Sequence, residues 1–290
     1  VLGGGPVGCE FATVYSELGI PTIIVEIHDR LLGRLDPVAS EAVRGLLEER
    51  GARVVTGVEV KEAELTDSGV RVKVGDEAVE VSHVLAAVGR VSNIEDIGLE
   101  DVGVRLTDGT IEVDEQCRTN VDGVYAVGDC AVKLKHTHIA SRMGQVAAEN
   151  IMGYELREDC SAVPLGIYTH PQVAVVGMSE EEARQECDNI STAEYSYQND
   201  STARIYGEQR GCVKLIVNDD TGDVLGALWI GPHAIDMIHQ VVLGVRCRLH
   251  MTQLWNTIHA HPSLQEAVHD AAGNWVKARL DRLHLNKDLH

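Results

Sequence analysis

Apolar and polar positions along the chain switch between a helical and an alternating period, and the switches lay out the elements. After a glycine-rich opening, residues 9–18 have helical spacing, and Ile20-Pro21-Thr22-Ile23-Ile24-Val25-Glu26 is a short apolar run closed by an acid, the pattern of a buried strand. Over residues 37–50, Val38, Ala42, Val43, Leu46 and Leu47 share one side of a helix. Asp36 stands at its N-cap, Pro37 at the first helical position and Gly51 just past the end. Residues 52–56 then read as a further parallel strand. Residues 58–63, 70–74 and 78–81 alternate with period two, separated by Asp67-Ser68-Gly69 and Gly75-Asp76, which predicts antiparallel strands joined by turns. The continuous apolar runs 84–88 and 124–129 predict strands buried on both faces, and 139–152 predicts a helix ended by Gly153. Beyond Pro164 the pattern becomes α+β: strands at 173–177, 211–217 and 224–230, helices at 235–245 and 264–283.

The predicted fold is therefore α/β with a C-terminal α+β portion, and its boundaries fall near Asn93 and Cys160: segments 1–93, 94–160 and 161–290. The first segment carries the sharpest motif. In Val1-Leu2-Gly3-Gly4-Gly5-Pro6-Val7-Gly8, the glycines at 3, 5 and 8 meet G-x-G-x-x-G. The first serves a tight turn, the second lets backbone approach a pyrophosphate, and the third lets helix pack on strand. The following helix would aim its N-terminal amides at the phosphates. Glu26 closes the next strand at roughly the twenty-residue distance at which a carboxylate takes the adenosine ribose hydroxyls. An acid there repels a 2′-phosphate, and only Arg30 is at hand to bind one, so NAD is favoured over NADP. Only Val1 and Leu2 precede Gly3, whereas a strand usually runs about 5–6 residues. A longer protein is the expectation, and the run at 124–129, with few local strands to pair with, is expected to join a sheet whose other strands lie upstream.

Composition narrows the class of protein. Hydrophobic residues make up 44%, with no apolar run near the ~20 residues of a membrane span. The formal net charge of −20 opposes nucleic-acid binding and fits a well-solvated surface. The seven cysteines are scattered, odd in number and free of C-x-x-C spacing, which fits a reducing, cytoplasmic setting. The close pairs His136/His138 and His259/His261 supply too few ligands to imply a metal.

The order of motifs resembles the class I pyridine nucleotide–disulfide oxidoreductases, and among them the dihydrolipoamide dehydrogenases, over essentially the whole chain. The resemblance rests on GGGPVGCE (3–10), VEIHDR (25–30), AAVGRVSN (86–93), TNVDGVYAVGDC (119–130), HTHIASRMGQVAAENIMG (136–153), YTHPQVAVVG (168–177) and HAHPSLQEA (259–267). It implies a Rossmann-like NAD-binding domain (1–93), the C-terminal part of an FAD-binding domain (94–160) and an interface, or dimerisation, domain (161–290). Gly3, Gly4, Gly5, Pro6, Val7, Gly8, Cys9, Glu10 and Glu26 would then bind NAD, with Val60 and Gly89 near the same cofactor. Asp129 would hold the FAD ribityl chain, and Lys135, His136, Thr137 and His138 would bring a helix N-terminus to the flavin ring. Glu10 would sit near the flavin. His261 would be the general base and Glu266 its orienting carboxylate.

The resemblance further implies a homodimer that oxidises dihydrolipoamide on the lipoyl domains of 2-oxoacid dehydrogenase or glycine cleavage systems. Thiol–disulfide exchange needs a thiolate, and a free thiol with pKa ~8.5 is mostly protonated at neutrality. An imidazole can take that proton, and a carboxylate can fix its tautomer. Two departures stand out. Ser92 replaces a usual proline, and His136 and Thr137 replace small or apolar residues. The redox-active cysteine pair and the first FAD fingerprint would lie upstream. The isolated chain is accordingly expected to hold FAD poorly and to lack lipoamide turnover. A soluble transhydrogenase, another disulfide reductase, or a split chain that only binds NAD or dimerises are the alternatives.

Overall fold

The computed structural model describes residues 1–132 and 134–282. They form two compact units, one of Val1–Val88 with Pro164–His290, the other of Gly89–Val163. In the first stretch, α1 (Pro6–Glu17) leads to β1 (Ile23–Val25), α2 (Pro37–Glu49) and β2 (Arg53–Val55), then to β3 (Val60–Thr66), β4 (Gly69–Val74) and β5 (Glu77–Val81). β1 and β2 pair in parallel from Ile23↔Arg53 to Val25↔Val55, and β3, β4 and β5 form an antiparallel meander. α1 begins three residues before the predicted start because Pro6 needs no N–H at the first helical position. α2 starts as expected: Asp36 accepts from Val38 N–H at 3.0 Å.

The predicted strand at 84–88 does not form as a strand. Leu2 lies between β1 and this segment, bridging Val25 and Ala86 in parallel. Leu2 N–H donates to Leu85 O (2.8 Å), and Ala87 N–H donates to Leu2 O (2.7 Å). With a single residue alongside it the ladder has one rung, and Val88 is 78% exposed rather than buried.

The second unit holds β6 (Leu106–Thr107), β7 (Thr110–Ile111) and α3 (Thr137–Ile151). The run at 124–129, expected to pair with strands upstream, forms no strand among the described residues. Within this chain its backbone pairs locally: Thr119 N–H donates to Val124 O, Ala126 N–H to Cys117 O, and Tyr125 bridges Arg118. The run then coils into a short 3-10 turn, Gly128–Cys130. Ile139, Met143, Val146 and Ala147 of α3 bury against Cys117, Ala126 and Ala131.

The remainder of the first unit is built on a five-stranded antiparallel sheet. β8 (Leu165–Ile167), β9 (Gln172–Gly177), β10 (Ile190–Ser196), β11 (Cys212–Asn218) and β12 (Val224–Gly231) lie in the order β10-β11-β12-β9-β8. Its helices are α4 (Glu180–Glu186), α5 (Ser201–Tyr206), α6 (Ala234–Met237), α7 (His239–Arg246), α8 (Met251–Asn256) and α9 (Glu266–Arg282). The predicted helix 235–245 is thus two helices, and the predicted end of the last helix at Leu283 lies outside the described residues. Strands β8 and β10 carry no strong alternation and were not expected.

One core draws on both stretches of this unit. Cys9, Ala12, Ile24, Val43 and Leu47 pack with Ile167, Val173, Leu228 and Ile230. A buried ion cluster adds to it. Lys214 of β11, its side chain 8% exposed, places Nζ 2.7 Å from Asp36 Oδ2 and 2.6 Å from Glu180 Oε2. Burial disfavours the charge on Lys214, but the hydrogen bonds it donates to Asp36 and Glu180 outweigh it and raise its pKa. Hydrogen bonds from Lys214 and Arg184 lower that of Glu180.

Lys214→Met leaves Asp36 without its cation and Glu180 with Arg184 alone, and the expected cost is roughly 2 kcal/mol, because Glu180 keeps Arg184 and some water. The contribution is complete between the ordinary values of 4.5 for the glutamate and 10.5 for the lysine. It fades as pH falls through the lowered Glu180 value or rises through the raised Lys214 value. Urea midpoints of the two proteins should therefore differ at pH 7 and converge in acid.

Candidate functional site

The first site is the turn between Leu2 and α1. Gly3 adopts φ +102°, and a side chain there would collide with Ala87 O; one at Gly8 would collide with Gly3 O. Gly5 is the opposite case: a Cβ would meet nothing within 4 Å. Gly5 is also the N-cap of α1 and offers no side-chain cap, so the first-turn amides at Val7 and Gly8 have no side-chain acceptor there. Open space against an uncapped helix N-terminus fits a phosphate group. Pro6 and Val7 are exposed at this edge.

Glu26, 7% exposed, closes the other side. Its Oε2 accepts from Gly4 N–H at 2.5 Å and its Oε1 from His28 N–H at 2.9 Å. These bonds fix the carboxylate and leave each oxygen a lone pair for a ribose hydroxyl. Arg30 is turned away into its own loop, its Nη2 donating to Gly33 O and Leu35 O. Val60, paired with Val74, packs on the edge of the apolar cluster of Val25, Val72 and Val74. Cys9 points inward: Sγ–H donates to Gly4 O, and burial, then the charges of Glu26 and Glu10, pushes the thiol up to about 12. It can serve this site only through its backbone. Glu10 accepts from Tyr168 N–H at 2.9 Å.

The second site is the loop leading into α9. His261 Nδ1 lies 2.9 and 3.1 Å from the two carboxylate oxygens of Glu266, and Ser263 N–H donates to Glu266 at 2.8 Å. The His261–Pro262 peptide is cis. Burial opposes the charge on Glu266, but the Ser263 amide and His261 outweigh it and hold its carboxyl below the ordinary range. The pair keeps the proton on Nδ1 and so leaves the Nε2 lone pair to act as a base. His261 is 72% exposed.

The third group lies in the second unit. Lys135 Nζ donates to Ser92 Oγ (2.6 Å) and to Asp129 O (3.0 Å), and Ser92 Oγ–H donates to Asp129 O (2.8 Å). This ring of bonds pins the Gly128–Cys130 turn and leaves the exposed Asp129 carboxylate at its head. His136 is the N-cap of α3 without a side-chain cap, and its ring stacks on that of His138 at 5.4 Å and 6°. Burial, then His138, pushes the His136 imidazole below its ordinary value. Thr137 and His138 are exposed, and so is Gly89 at the start of the unit. An uncapped helix start beside a pinned acidic turn fits a carbonyl-rich ring carrying a hydroxylated chain.

The structure therefore brings Gly3–Gly8 together with Glu26, pairs His261 with Glu266, and joins the Asp129 carbonyl to Lys135. Ser92 as the partner of Lys135, and Gln240 as a partner of His259 at 3.1 Å, gave no local signal in the sequence. Among the described residues no group of three or more His, Cys, Asp or Glu is placed to hold a metal, and no helix is long and apolar enough to cross a membrane.

A nucleotide-type turn on a Rossmann-like sheet, followed by an antiparallel α+β portion with a paired histidine, defines a class of oxidoreductase. The chain belongs to the pyridine nucleotide–disulphide oxidoreductases: it matches that family over residues 1–144 and the family's dimerisation domain over 163–272. It is similar to dihydrolipoyl dehydrogenases. That of Chlamydia pneumoniae is 36% identical over 291 residues, covering 100% of this chain and 61% of the relative. That of Bacillus subtilis (strain 168) is 34% identical, covering 94% and 59%. Among solved structures, LpdA from Mycobacterium tuberculosis superposes with a TM-score of 0.89 at 29% identity, covering 94% of this chain and 60% of that one. The flavoprotein disulfide reductase RclA from Escherichia coli gives 0.87 at 26%, covering 94% and 63%. The chain spans less than two thirds of the length of each.

Proposed function

We propose that this chain is part of a dihydrolipoyl dehydrogenase, a flavoenzyme that oxidises protein-bound dihydrolipoamide to lipoamide while NAD⁺ is reduced to NADH. The observation that carries the reading is the His261–Glu266 pair, a base with its tautomer already set at the start of α9. His261 Nε2 takes the proton from the attacking thiol of dihydrolipoamide, which becomes the thiolate that thiol–disulfide exchange requires. Glu266 stabilises the resulting imidazolium, and the Ser263 amide keeps Glu266 ionised.

In the nucleotide turn, Gly3, Gly4, Gly5, Pro6, Val7 and Gly8 hold the NAD pyrophosphate with the backbone of Cys9, and Glu26 takes the ribose hydroxyls. Glu10 and Val60 lie near the same nucleotide. Asp129 binds the FAD ribityl chain, and Lys135, His136, Thr137 and His138 present the start of α3 to the ring. FAD, when bound, supplies the two-electron relay between disulfide and pyridine nucleotide. The working form is a cytoplasmic homodimer in which the C-terminal segment 161–290 meets its partner copy, and the substrate is a lipoyl domain. The segments 1–93 and 94–160 serve NAD and FAD.

The test is steady-state oxidation of dihydrolipoamide by the full-length flavin-loaded protein of which this chain is part, with NAD⁺ or NADP⁺; all flavin-loaded variants below are made in that protein. NADH formation with strong preference for NAD⁺ is the expected result. NAD binding without any dihydrolipoamide-dependent turnover would move the chain to another reaction of the same family.

A further inference from the structure

The loop that carries His261 has little packing of its own. Residues 255–258 and 260–262 are exposed, Ile258 almost wholly, and His259 is the half-buried residue among them. Its ring is held at both nitrogens. Nδ1 lies 3.0 Å from Thr257 O, and Nε2 lies 3.1 Å from Oε1 of Gln240 on α7. His269 of α9 stands edge-on at 6.1 Å, itself 3.1 Å from Asp270, and a charge on His259 would act on Glu266.

Acceptors facing both ring nitrogens would demand an imidazolium. They would also leave Gln240 Nε2, which is buried, with no partner. Half a turn of the Gln240 amide exchanges its oxygen and nitrogen and removes the need for a charged ring. Gln240 N–H then donates to an unprotonated His259 Nε2, while His259 Nδ1–H donates to Thr257 O. Both ring nitrogens of His259 and the Gln240 amide nitrogen are then partnered.

We infer that Gln240 locks His259 as the neutral Nδ1–H imidazole, and that His259 is a positioning residue pinning the His261 loop to α7. The tautomer stands on the geometry alone; the positioning role rests on His261 being the base, as proposed above. A neutral His259 matters because a second imidazolium beside Glu266 would share its negative charge and disfavour protonation of His261. Thr257 Oγ1–H, donating to Gln253 O at 2.7 Å, ties the start of the same loop to α8.

Long-range ¹H–¹⁵N spectra of the ¹⁵N-histidine-labelled protein read the tautomer directly. At pH 7 His259 is expected to show a protonated Nδ1 and a bare Nε2, and Gln240→Glu to convert it to the doubly protonated ring, since a carboxylate can only accept. A protonated Nε2 in the wild-type protein overturns the inference, whatever the enzyme's activity. In the flavin-loaded protein, His259→Ala is expected to slow flavin reduction by dihydrolipoamide about 10- to 100-fold while reduction by NADH is unchanged. His259→Asn, whose amide still reaches Thr257 O, should recover part of that loss. Gln240→Glu should move the acidic limb of the pH profile downward. If His259→Ala leaves the dihydrolipoamide step intact while His261→Gln abolishes it, the base stands and the positioning role is wrong. If His261→Gln itself has no effect, the base assignment falls and takes the positioning role with it.

Discussion

With His261 replaced by glutamine, reduction of the bound flavin by dihydrolipoamide is expected to slow by about 10²–10⁴-fold, with reduction by NADH unaffected. Glutamine keeps an amide near the same place and can still bond Glu266, so the fold of the loop is retained. It cannot accept a proton at neutral pH, so the substrate thiol must ionise unaided. Stopped-flow absorbance of the flavin-loaded protein, with each reductant in turn, separates the two half-reactions. Glu266→Gln should have a smaller effect of the same kind, because the base survives while its proton is less firmly placed on Nδ1. Equal slowing with both reductants would mean that the substitution had disturbed the fold or the cofactor rather than removed a base.

The second large effect comes from two glycines three residues apart. Gly8→Ala puts a methyl against Gly3 O, a backbone atom that cannot swing aside, and the cost should be about 1–3 kcal/mol or more. NAD binding should be lost with it, since the turn that shapes the phosphate site must open. Gly5→Ala meets nothing in the protein, and its φ of −74° with ψ of −176° is ordinary for alanine. The melting temperature should therefore stay where it is, while NAD affinity falls because the methyl projects into the space that suits a pyrophosphate. Calorimetry and a nucleotide titration on both variants check the contrast. If Gly5→Ala bound NAD normally, the open space would not be the phosphate site.

The glycine turn and Glu26 were legible in the sequence because each role is local: one residue, one turn, one reason. α2 was legible for the same reason, with Asp36, Pro37 and Gly51 marking its ends. The runs at 84–88 and 124–129 form no strand among the described residues, because an apolar run states that a segment is to be covered but not by what. At 84–88 a single rung from Leu2 is all that pairs with it, and at 124–129 the backbone groups find partners five to nine residues away. β8 and β10 were missed because they are the two edge strands of their sheet, β8 only three residues long and β10 largely polar and half-buried, so neither shows a buried alternation. The His261–Glu266 pair was weak as a spacing and became definite only within the order of motifs. Ser92 with Lys135 and His259 with Gln240 could not be read at all, since their partners stand 43 and 19 positions away in sequence.

The shared core of the first unit has a consequence for how the chain is made. Asp36 and Lys214 are separated by 178 positions, and a whole second unit is encoded between them. At about 5–20 residues per second, the ribosome takes roughly 9–36 s to deliver Lys214 after Asp36 has emerged. Through that interval the faces of α1 and α2 that will meet Ile167, Val173, Leu228 and Ile230 have nothing to cover them. The nascent nucleotide-binding segment is thus a client for a chaperone that shields apolar surface, until the last sheet arrives to close it.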